Sequence, residues 1–180
     1  MSLLGKLLNA VFKSEIHGIK LNLTEPYWEL SGEIDFPRLF AALPTLLPEG
    51  CILYLEGGYP EDELHVFLQT QQIVDSVKVA CGTAWPKPTV FHLPATPTVL
   101  HRLSELTHRR AEPEVAAHFH VYRGQVVLLE WHDVFTQPAL ISGTLTEEVI
   151  ARFAQVLRME YRPGIAPDAE AGRVVPAIKA

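Results

Sequence analysis

A chain of 180 residues, 48% hydrophobic and 20% charged, has globular composition and length enough for one domain with a sizeable core. Its two cysteines, Cys51 and Cys81, form no C-x-x-C or paired knuckle, which excludes a cysteine-built scaffold and leaves them as small buried hydrophobes. A net charge of −6 is the wrong sign for a phosphate backbone, and no apolar run approaches the roughly 20 residues of a membrane span, so neither nucleic acid nor membrane is an expected partner.

The chain opens on "MSLLGKLLNAVFK". Leu4, Leu7, Leu8 and Val11 recur at helical spacing while Lys6 interrupts the apolar run, and no small-residue cleavage site follows. The reading is an amphipathic docking helix rather than an export signal, and the expected location is the cytoplasm. "IHGIKLNL" and "YWELSGEI" read as two strands of a hairpin turning around Thr24 to Pro26. "DFPRLFAALPTLL" reads as a short helix with Asp35 at its cap, ended or bent by Pro44.

"CILYLEGG" is a short apolar strand running into "YPEDELHVFLQTQQI", where Pro60 opens a helix with Leu64, Phe67 and Leu68 inward. The glycine-rich turn has neither dinucleotide nor P-loop spacing, and its carboxylates would repel an anion. "SVKVACG" and "PTVFHL" are extended stretches separated by "TAWPKP", a Pro-fixed loop that offers Trp85 as an interface aromatic. Thr96 and Pro97 open the helix "TVLHRLSELTHRR"; His101, Glu105 and His108 share one face of it, a solvated flank. After the hairpin treated below, "ALIS" is a strand, and "TLTEEVIARFAQVL" is a helix with Thr144 and Glu147 at capping-box spacing. Strands and helices mix without a βαβ rhythm. The expected architecture is a single α+β domain over residues 1–161, with helices packed on a mixed or mainly antiparallel sheet, followed by a Pro/Ala/Gly-rich tail over 162–180.

Charge is concentrated. No lysine or arginine lies between Arg38 and Lys78, an interval holding Glu49, Glu56, Glu61, Asp62, Glu63 and Asp75. Outside it 15 acids (21 less 6) balance 15 bases, so the net charge belongs to residues 49–75. Such a segment can steer a basic protein toward itself.

The stretch "HFHVYRGQVVLLEWHD" carries His118, His120 and His132 with Glu130. A two-residue turn at Arg123-Gly124 would bury Glu130 among apolar groups, which is costly. A three-residue loop, Tyr122 to Gly124, puts Val115, Ala117, Phe119, Val121, Val127, Leu129 and Trp131 on one face and the histidines with Glu130 on the other. Burial favours this second register. It sets His118 opposite Leu128 and Ala116 opposite Glu130, an offset that is loose for one ion. His92 can join if its strand is adjacent.

The primary functional expectation is a non-enzymatic protein-binding or regulatory domain that meets a basic partner protein through Glu56, Glu61, Asp62, Glu63 and Trp85, with a homo-oligomer as a further expected assembly. It needs no cofactor and no catalytic residue. The alternative is a metal-dependent hydrolase or oxygenase whose zinc or iron is held by His118, His120, Glu130 and His132.

Overall fold

The computed structural model describes residues 18–58, 62–74, 77–80, 82–83 and 87–164. The expected N-terminal helix lies outside these residues, as do Pro60, Glu61, Cys81 and Trp85. Seven strands form one antiparallel sheet: β1 (Tyr27–Ser31), β2 (Ile52–Glu56), β3 (Val90–Pro94), β4 (His118–Arg123), β5 (Val126–Trp131), β6 (Ala139–Ser142) and β7 (Glu160–Pro163). Their spatial order is β3-β2-β4-β5-β6-β1-β7. The helices are α1 (Phe36–Ala42), continued by a 3₁₀ turn at Leu43–Thr45, α2 (Asp62–Gln71), α3 (Pro97–Leu106), the single turn α4 (Glu112–Val115) and α5 (Glu147–Leu157). The chain is thus an α+β domain, and none of its described helices is long and apolar enough to cross a membrane.

Period-two alternation divides the strands between two faces. Leu53 and Leu55 of β2, Phe119 and Val121 of β4, and Leu129 and Trp131 of β5 join Phe36, Leu39 and Phe40 of α1, Leu64 and Leu68 of α2, Leu100 and Leu103 of α3, and Ile150, Phe153 and Leu157 of α5 in the main core. The opposite face carries Tyr54, Tyr122 and Val127, packed with Leu21 and Val79 in a second, smaller core. Asp35 caps α1 by accepting the Arg38 N–H at 3.0 Å, and Thr96 caps α3 by accepting the Val99 N–H at 3.3 Å.

Three local expectations differ. Residues 18–22 do not form a hairpin with β1. They run over the sheet as a strap bridged to Val79, because β1 finds both its partners, β6 and β7, at the far end of the sheet. Thr146, not Thr144, is the N-cap of α5, since the Thr144 hydroxyl is taken up by Ser142 at 2.9 Å. Strand β7 brings Arg162 and Pro163, assigned by composition to the tail, into the sheet against β1.

Candidate metal centre

Because Leu53, Leu55, Phe119, Val121, Leu129 and Trp131 fill the main core, their neighbours in the strands point the other way. Pairing sets Tyr54 opposite His120 and Glu56 opposite His118 across β2 and β4, and His120 opposite Glu130 across β4 and β5. His132 follows two residues after Glu130. Phe119, Val121, Leu129 and Trp131 face the core and the histidines with Glu130 face away, as in the favoured register. The three-residue loop, however, does not form, Val127 lies on the polar face rather than the apolar one, Val115 belongs to α4, and the pairing is closer than the expected offset. The turn is Gly124–Gln125, with Gly124 at φ +58°, and pairing steps by one residue between Val121 and Tyr122, leaving Leu128 as the extra residue of a bulge. That step brings Glu130 directly across from His120.

One ligand atom from each of His120, Glu130 and His132 can be chosen so that all three lie within 4.8 Å of one another. His132 Nε2 is 3.0 Å from Glu130 Oε1. With metal–ligand bonds of about 2.1 Å, neighbouring ligand atoms stand roughly 3.0–3.4 Å apart, so this pair already has the spacing of two donors on one ion. The widest pair would close by no more than about 1.8 Å. Glu130 Oε2 accepts the Leu21 N–H at 2.6 Å, which fixes the carboxylate from its other side. The His132 side chain is 41% exposed against 10% for Glu130, so the group opens to solvent at His132.

His120 is the unusual member. It is 1% exposed, and neither ring nitrogen has a hydrogen-bond partner. Its ring sits 5.3 Å from that of Tyr54 and 5.0 Å from that of His132. A neutral imidazole has one N–H and one lone pair, and leaving such groups buried and unpaired costs about 1–3 kcal/mol. Burial pushes the His120 pKa down to about 4, against the attraction of Glu130, so the ring is neutral at pH 7. For Glu130, burial works to raise the carboxyl pKa, but the hydrogen bonds from His132 and Leu21 bring it below the ordinary range. The His132 pKa is raised, chiefly by its hydrogen bond to Glu130.

His118 stands outside the compact group. Its Nδ1 accepts the Asp133 N–H at 3.1 Å, which leaves the neutral ring's proton on Nε2 and removes both nitrogens as donors to an ion in that tautomer. His92 is also separate, with Nδ1 2.8 Å from the Tyr122 hydroxyl.

Glu56 departs from its expected role as a surface acid. It is fully buried and accepts the Tyr54 O–H at 2.7 Å, the Gly82 N–H at 3.0 Å and the Thr83 N–H at 2.6 Å. Burial alone would raise its pKa; these hydrogen bonds outweigh burial and lower it. A carboxylate held this way is unavailable to a docking protein. Glu63 is exposed and paired with Arg102, Glu49 is exposed, and Asp62 begins α2. No known family, curated protein or solved structure matches this chain.

Two buried carboxylates, Glu56 and Glu130, therefore share one sheet face with the histidines. Their combined charge of −2 is what a divalent cation balances. Of the four side chains expected as ligands, His120, Glu130 and His132 come together and His118 does not; Glu56 as their electrostatic neighbour was missed. The available signal was its place two residues after Tyr54, on the same face of a strand. A separate cavity of about 550 Å³ lies at the other end of β2, lined by Pro44, Leu47, Cys51, Ile52, Pro97 and Leu100. Burial raises the Cys51 thiol pKa there, which keeps it protonated and unreactive at neutral pH.

Proposed function

We propose that this protein binds one divalent transition-metal ion, zinc or iron(II), through His120, Glu130 and His132, and that it is a metal-dependent enzyme of the hydrolase or oxygenase class. The observation that carries the reading is His120, buried with both ring nitrogens unpartnered beside a carboxylate and a second imidazole. Two histidines and one carboxylate are a ligand set that leaves coordination positions for water or substrate. A zinc ion so held lowers the pKa of its water toward 7, while iron(II) in such a set supports oxygen chemistry. The opening at His132 is the route by which a substrate would approach.

Protein binding through the acidic segment has less support, because Glu56 is internal and Glu63 already has a cation beside it. A cytoplasmic location accords with this reading, since a buried unpaired Cys51 suits a reducing compartment. The test is elemental analysis of untagged protein purified without chelator, repeated after zinc or anaerobic iron(II) loading and desalting. Close to one ion per chain is expected in the wild type and less than a tenth of that in His120→Ala. An apo wild type after both loadings would refute the proposal.

A further inference from the structure

Residues 18–22 lie across the polar face of the sheet without entering a strand. Among the described residues, their backbone pairing to another segment is the bridge between Ile19 and Val79, in which the Ile19 N–H donates to Lys78 O at 2.8 Å and the Ala80 N–H to Ile19 O at 3.0 Å. The strap meets the sheet at Leu21. That side chain is buried with Tyr54, Val79, Tyr122 and Val127, and its N–H donates to Glu130 Oε2. Glu130 thus divides its two oxygens between the strap and the triad: Oε2 holds Leu21 and Oε1 faces His132.

We infer that docking of the 18–22 strap and metal loading at the triad are coupled through Glu130, so that the strap acts as the positioning element of the centre and the ion in turn clamps the strap. This rests on the metal reading above. The sign follows from the carboxylate. A glutamate free to rotate gives up side-chain entropy when it ligates an ion, and the Leu21 N–H has already removed that freedom when the strap is docked. Conversely, an ion on Oε1 fixes Oε2 where the Leu21 N–H needs it. Linkage requires the two effects to be equal. Partners that orient a ligating carboxylate from behind commonly change metal affinity about 10- to 100-fold.

Gly18 gives a way to release the strap without touching the sheet or the triad. A Cβ on it would stand 2.4 Å from both the Val79 carbonyl carbon and the Ala80 nitrogen, closer than any real contact, so Gly18→Val forces the segments apart. The experiment uses the whole chain and zinc as the probe. Zinc affinity is measured by chelator competition in wild type and Gly18→Val, and exchange of the Leu21 amide is followed by NMR with and without zinc in wild type and His120→Ala. Expected are zinc binding weakened at least about 10-fold in Gly18→Val, and a comparable slowing of Leu21 exchange by zinc in wild type that is lost in His120→Ala. If the wild type binds zinc one to one while Leu21 exchange is unchanged and Gly18→Val binds equally well, the coupling is wrong and the metal centre stands. If the wild type binds no zinc or iron, the centre itself is refuted and the coupling falls with it. The exchange measurement on wild type decides the matter even if Gly18→Val does not fold.

Discussion

Glu56 keeps its charge inside the protein because one hydroxyl and two backbone amides converge on it. Glu56→Gln replaces an acceptor-only group with an amide whose NH₂ would face donors, at a cost of about 1–3 kcal/mol. Urea denaturation at pH 7 reads that difference. Its pH dependence has a definite sign. Because the folded pKa is lowered, the carboxylate contributes its full stabilisation above the unfolded value of about 4.3 and loses it as pH falls through the folded value. The gap between wild type and Glu56→Gln is therefore expected to shrink on going from pH 6 to pH 3, and a gap that widens would contradict this account. In the sequence Glu56 looks like a surface acid, since it is followed by two glycines and several more acids. Its Tyr54 partner, two residues back, was legible from strand periodicity. Gly82 and Thr83 were not, because contacts formed 26 and 27 residues away leave no local pattern.

The hairpin β4–β5 shows how one extra residue places a site. Leu128 is accommodated by the bulge while Val127 remains on the polar face and Leu129 on the apolar one. Deleting Leu128 restores strict alternation and leaves His120 opposite Glu130, so the variant should still load metal, while losing a buried leucine at a cost of about 2–5 kcal/mol. Inserting one glycine between Leu129 and Glu130 does the opposite. It turns Glu130 and His132 toward the helices, where a carboxylate has no partner, and should abolish metal retention and lower Tm by at least about 10 °C. Elemental analysis and thermal unfolding of the two variants separate these outcomes. The faces of Phe119, Val121, Leu129 and Trp131 against His118, His120 and Glu130 could be read from alternation, though that of Val127 could not, and the α3 start could be read from Thr96 and Pro97. The bulge could not, because nothing in "QVVLLEW" marks which apolar residue is supernumerary. The turn from β2 into α2 makes a similar point at Gly58, where a Cβ would lie 2.0 Å from Val115 O. Gly58→Ala should cost at least about 2 kcal/mol by denaturant titration, although the sequence presents Gly58 as an ordinary turn residue.

At the scale of the molecule, the two faces of the sheet are protected very differently. One is sealed by helices; the other is covered, among the described residues, by the strap and residues 77–80, which contribute Leu21 and Val79 to the small second core with Tyr54, Tyr122 and Val127. Amide exchange over residues 18–22 is therefore expected to outpace that of Leu53 and Val121 by on the order of 100-fold without added metal. Equal rates would mean that the cover is as firmly built as the sheet. Class and the positions of α1, α2, α3 and α5 were accessible from sequence because they depend on local periodicity, whereas the single turn α4 was not read. Strand order was not, since it depends on pairings between segments far apart, such as β1 with β6 and β7. That arrangement carries a consequence for the chain as it is made. Tyr27–Ser31 is the first of the described strands, yet the strands that flank it, Ala139–Ser142 and Glu160–Pro163, emerge more than a hundred residues later. On the ribosome β1 must wait with both edges open, and the sheet is completed only when nearly all of the described chain has been translated.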